Sequence, residues 1–96
     1  MKKSEPEDLN RLYDALIMLE NREQCEKLLN DLMTISEINA ACQRLKVAVL
    51  LSEKQTCQTI AAETGASTAT ISRVNRCLNY GSGGYEMVLE KLKGQE

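Results

Sequence analysis

Near its start the chain repeats apolar residues at helical spacing: Leu9, Leu12, Tyr13, Leu16, Ile17 and Leu19 form one stripe. Pro6, Glu7 and Asp8 ahead of it suit a helix first turn, and the pattern predicts a helix to about Asn21. A second amphipathic segment, Arg22 to Met33, places Cys25, Leu28, Leu29 and Leu32 on one side. These two helices either pair with each other or extend into a partner. Thr34 followed by Glu37 forms a capping-box pattern that starts a third helix, running to about Glu53. Its segment Val47-Ala48-Val49-Leu50-Leu51 is apolar all round, so this helix must be enclosed, at the centre of a monomeric bundle or of a dimer. Thr56 is placed to cap a fourth helix ending at Thr64. Gly65 suits the left-handed turn after it, and Ser67 is placed to cap a fifth helix reaching about Asn79. Gly81-Ser82-Gly83-Gly84 breaks the pattern, and Tyr85, Val88, Leu89 and Leu92 outline a short last helix before a frayed tail.

The segment from Cys57 to Arg76 meets the steric demands of a helix-turn-helix. Ala61 is small where two helices would cross, Gly65 makes the turn, and Ile71 fills the angle between the helices. Ile60, Ala66 and Val74 complete an inner face. The outer face of the fifth helix presents Ser67, Thr68, Ala69, Ser72, Arg73 and Arg76, all small or cationic. Thr68 and Ala69 suit thymine methyls, Ser72 a base edge or a phosphate, and the two arginines a phosphate or guanine. The helix N-terminus adds backbone N–H donors for a phosphate oxygen. In a chain with 14 acidic residues, a merely solvated face would normally carry some of them, and this one carries none.

Composition supports an all-α chain: one Pro, five Gly, three Tyr and neither Phe nor Trp leave a core of Leu, Ile, Val, Met and Ala. Ninety-six residues fit a single domain over 1–96, with a core that a partner subunit would enlarge. The net charge of −2 lacks the general basic excess of many nucleic-acid binders. Locally the balance reverses, since Lys54, Arg73 and Arg76 face only Glu63 between residues 54 and 80. Cys25, Cys42, Cys57 and Cys77 have no metal-ligand spacing, and the chain has no His, so they read as reduced thiols with no metal or cofactor. With no secretory h-region and no span of about 20 apolar residues, a cytoplasmic protein without membrane attachment is expected. No nucleophile and base can be assigned, which argues against an enzyme.

The residues Leu28-Leu29-Asn30, Leu32-Met33-Thr34, Gln43-Arg44-Leu45-Lys46 and above all Glu63-Thr64-Gly65-Ala66-Ser67-Thr68-Ala69-Thr70-Ile71-Ser72-Arg73 resemble the Trp repressor superfamily, and within it the YerC/YecD branch. The resemblance runs from about Leu9 to Leu92. It implies a six-helix fold in an intertwined homodimer, with dimerisation helices over about 5–53, the helix-turn-helix over 56–79 and a C-terminal helix over 84–93. It also implies double-stranded DNA as partner and a palindromic operator with half-sites about 34 Å apart. Lys54 joins Ser67, Thr68, Ala69, Ser72, Arg73 and Arg76 as a candidate DNA contact, because the family's basic phosphate-contact positions on the fourth helix hold Gln58 and Ala61 here.

The resemblance further implies a ligand pocket at Thr34, Arg44, Arg73, Val74 and Cys77. The family's ligand-accommodating glycine is Val74 here, its pocket serine is Cys77, and Asp31 replaces an apolar pocket residue. These departures point away from tryptophan as effector, leaving either a pocket closed by Val74 or one for another molecule. Arg44 and Arg73 also admit a plainer role in pairing with acids or carbonyls. The reading from a different class is a protein-interaction module in which the helix-turn-helix is only scaffold. The enclosed segment Val47 to Leu51 predicts a dimer by light scattering at micromolar concentration, and a monomer there would overturn that expectation.

Overall fold

The computed structural model describes residues 5–95, and among them it contains six α-helices and no strand. They are α1 (Pro6–Ile17), α2 (Arg22–Leu32), α3 (Ile35–Ser52), α4 (Cys57–Thr64), α5 (Thr68–Tyr80) and α6 (Gly84–Lys93). This is the all-α, six-helix class that the apolar periodicity predicts. The chain divides into two compact units, one ending at Ile35 and the other starting at Ser36.

In the first unit, α1 ends at Ile17 rather than near Asn21, although the apolar pattern continues to Leu19. The cause is local. Asn21 adopts extended backbone and its side chain accepts a hydrogen bond from the Gln24 N–H at 2.9 Å, capping α2, while the Gln24 side chain accepts from the Glu20 N–H at 2.9 Å. A residue used in this way satisfies an orphan donor of the following helix and cannot continue the preceding one. At the other end α2 stops at Leu32, one residue short of the expected Met33, which is extended at φ −123°. Neither α1 nor α2 contains a buried residue, and Leu12, Tyr13, Leu16, Ile17 and Met18 are exposed.

The second unit is organised around aliphatic side chains. Val47 and Ala48 from α3 and Ile60 from α4 have no accessible surface, and Ile71 and Val74 from α5 are nearly as enclosed. Ala66 and Leu89 complete the cluster, with Val49, Leu50, Leu51, Ala61, Leu78 and Tyr85 packed around it. Burying an aliphatic side chain of this size contributes about 1.5–3 kcal/mol. Of the apolar run in α3, Val47 and Ala48 are the enclosed members, while Val49, Leu50 and Leu51 are half-buried.

Three local signals fix the ends of the helices in this unit. Thr56 caps α4 by accepting from the Thr59 N–H, and Ser67 caps α5 by accepting from the Thr70 N–H, each at 3.1 Å. Gly65 closes α4 in the left-handed region at φ 71°, its N–H donating to the Ala61 carbonyl. The end of α3 is less usual. The Lys54 N–H bonds the Leu51 carbonyl and the Gln55 N–H bonds the Leu50 carbonyl, a Schellman arrangement with Lys54 itself at φ 64°. At Gly81 a Cβ would collide with the Cys77 carbonyl oxygen, so the turn between α5 and α6 requires a residue without a side chain.

All four cysteines are free thiols, Cys42 and Cys57 exposed and Cys25 and Cys77 half-buried. Among the described residues, no helix is long and apolar enough to cross a membrane. Gly65→Ala meets no steric obstacle, so its cost is that of the left-handed backbone alone, about 1 kcal/mol, whereas Ile60→Ala opens a core cavity and costs about 2–5 kcal/mol. Urea unfolding at one fixed protein concentration should rank the two variants in that order.

Candidate nucleic-acid interface

Helix α5 has two chemically distinct faces. Ile71 and Val74 point inward at 2% and 1% exposure, and the half-buried Cys77 and Leu78 continue that side. Thr68, Ala69, Ser72, Arg73 and Arg76 are all exposed, so the residues expected on a reading face share solvent-facing positions. Helical spacing produces this division, because 71, 74 and 78 recur on one side while 69, 72, 73 and 76 lie across from them. The helix has no acidic residue in its first turn or anywhere along its length. Among the described residues Arg73 and Arg76 make no ion pair within 4 Å; the two surface pairs present, Arg11–Asp8 and Lys27–Glu23, both lie in the first unit.

Ser67 stands just before α5 and its hydroxyl is already engaged. It accepts from the Thr70 N–H and donates to Thr70 Oγ1, each at 3.1 Å. What the start of α5 leaves available is backbone, because the first N–H groups of a helix lack intrahelical partners and carry partial positive charge. With Thr70 capped by Ser67, the N–H groups of Thr68 and Ala69 are the ones free to meet an anionic oxygen. Lys54 is exposed in the turn between α3 and α4. Gln58 is exposed on α4, whereas Ala61 is half-buried and packed against the core.

The residues expected around a ligand are dispersed in environment. Arg44 and Arg73 are exposed, and among the described residues neither makes an ion pair. Val74 belongs to the core, and its isopropyl group occupies space that a smaller residue would leave open. Cys77 lines an open apolar groove of about 440 Å³ together with Leu45, Tyr85, Met87 and Val88 and the glycine-rich turn. Thr34 lies in the first unit, immediately before α3, and is exposed. No group of three or more potential metal-binding side chains occurs among the described residues.

The model of the Trp repressor protein family matches residues 7–93. The chain belongs to the Trp repressor family. It is 49% identical over 89 residues to YerC, an uncharacterized protein of Bacillus subtilis (strain 168), covering 93% of this chain and 86% of that relative. A Trp-repressor-type protein from Staphylococcus aureus, known from its crystal structure, superposes with a TM-score of 0.88 at 45% identity, covering 93% of this chain and 89% of that one. A TrpR-like protein from Eubacterium eligens gives 0.87 at 45% identity over 91% and 90% of the two chains. The family is one of DNA-binding regulators and not of enzymes, and its fold is the one described above.

Several contributors to this surface are invisible to periodicity. The commitment of the Ser67 hydroxyl follows from its cap position, for which Ser67-x-x-Thr70 is the available signal. The left-handed backbone of Lys54 has no signal, since a lysine stands where glycine is usual. Because Arg73 and Arg76 are exposed and make no ion pair among the described residues, Arg73→Ala and Arg76→Ala should each change unfolding free energy by less than about 0.5 kcal/mol, as measured by denaturant titration. A larger loss would assign them a structural role.

Proposed function

We propose that this chain is a homodimeric, sequence-specific DNA-binding transcriptional regulator of repressor-like type. It reads a palindromic operator in the major groove through α5, independently of tryptophan. The observation that carries the reading is the division of α5 between an enclosed aliphatic side, Ile71 and Val74, and an exposed acid-free side bearing Arg73 and Arg76. A helix held by one face against a core and offering the other to a groove is the arrangement that a recognition helix needs.

Roles follow from chemistry. Thr68 and Ala69 bring methyl groups and free backbone N–H groups to the start of the reading helix, and Ser72 brings a hydroxyl that serves as donor or acceptor. Arg73 and Arg76 pair with guanine edges or phosphates, Lys54 with a phosphate, and Ser67 contributes by holding the first turn. Tryptophan independence is supported by Val74, whose burial leaves no vacancy for an indole ring at that position. Dimerisation is supported by the exposed apolar side chains of α1, a set that a solitary chain of this length gains nothing by leaving in water.

The test is selection from a genomic fragment library at about 0.15 M salt, without added tryptophan, followed by sequencing of the retained DNA. A palindrome with half-sites one helical turn apart is expected. Thr68→Ala combined with Arg73→Ala should abolish its retention while helicity is unchanged. Arg76→Ala should lower the slope of log affinity against log salt by about 0.9 if Arg76 neutralises a phosphate. No enrichment under these conditions would favour the protein-interaction module instead.

A further inference from the structure

Gln43 stands midway along α3, and its side-chain Nε2 donates to the carbonyl oxygen of Thr64 at 3.1 Å, across 21 positions of sequence. Both residues are half-buried. Thr64 is the last residue of α4, so its carbonyl is one of those that a helix end leaves without an intrahelical donor, and it lies at the negative end of the helix dipole. The Thr64 hydroxyl is engaged both as donor and as acceptor. It donates to the Ile60 carbonyl at 2.7 Å and accepts from the Ala66 N–H at 3.1 Å. The turn Thr64-Gly65-Ala66 is therefore braced from within by a threonine and from outside by a glutamine of the central helix.

The brace supplies what the core does not. Contacts among Val47, Ala48, Ile60, Ile71 and Val74 are aliphatic and non-directional, which sets the distance between helices more firmly than their rotation or slide. A hydrogen bond is directional and tolerates only a few tenths of an ångström. Since Ser67 follows the turn directly and caps α5, fixing the turn fixes where α5 begins. We infer that Gln43 is a positioning residue for the reading helix. Its carboxamide ties the helix-turn-helix to the central helix and builds the DNA-competent arrangement into the chain itself. This inference rests on the DNA-reading function proposed above.

A donor at the end of a side chain of this length is what the position requires. Gln43→Met keeps the length and removes the donor. Gln43→Glu replaces the donor with a carboxylate aimed at a carbonyl, and Gln43→Lys keeps a donor and adds a charge favourable to a helix C-terminus.

The experiment compares these three variants of the full chain by two readouts: backbone amide exchange, and the ratio of affinity for the selected palindrome to that for an unrelated duplex. In Gln43→Met, exchange at Ala66 should accelerate about tenfold, the scale of one ordinary hydrogen bond, with Val47 and Val74 unchanged. The affinity ratio should fall by a similar factor, further in Gln43→Glu, and recover in Gln43→Lys. Acceleration spread evenly over the core, or an unchanged affinity ratio in Gln43→Met, would overturn the positioning role. If the wild-type chain selects no DNA, the DNA-reading function fails and the positioning role fails with it. Amide exchange would then still decide whether Gln43 holds the turn.

Discussion

The packing of Ile60, Ile71 and Val74 onto Val47 and Ala48 is the contact on which the second unit depends. With neither Phe nor Trp, the chain has no large ring with which to bridge helices, so they must approach closely enough for branched aliphatic side chains to interlock. Close approach requires small residues at the crossing and the turn, and Ala61, Gly65 and Ala66 supply them. It also determines which side of α5 remains outside. Once Ile71 and Val74 are enclosed, Ser72, Arg73 and Arg76 have no alternative to solvent. The exposed, acid-free face is thus a geometric remainder of the core, and a change of helix register would bury the arginines and expose the aliphatics together.

What the chain declares in advance and what it conceals divide by range. Thr56, Gly65 and Ser67 were legible because a cap is settled within three or four residues, and those residue types have physical reasons to stand there. The same local logic identified Ala61, Ile71 and the outer face of α5. Asn21 was obscured because the apolar stripe of α1 runs on to Leu19, and periodicity outweighed a capping signal, Asn21-x-x-Gln24, that was present. The bond from Gln43 to Thr64 depends on how α3 and α4 meet, which no local pattern encodes.

The candidate ligand residues illustrate the same limit. Val74 could be placed on the inner face by spacing, and it lies there. Arg44 and Arg73 admit a plain pairing role, yet among the described residues the ion pairs seen use Arg11 and Lys27. Exposed side chains of this kind have many partners within reach, and the choice among them is decided by fractions of a kcal/mol, below what residue order can encode.

Lys54 closes α3 in a backbone conformation that suits glycine, and a side chain there carries a strain of about 1–2 kcal/mol. Glycine would relieve that strain, so a lysine is not the choice that stability alone would make. On the phosphate contact proposed for Lys54, selection for heat tolerance and selection for that contact pull in opposite directions at this position. A library screened only for thermal survival would be drawn towards glycine at residue 54, and the survivors would be sturdier proteins with one cation fewer beside the helix-turn-helix.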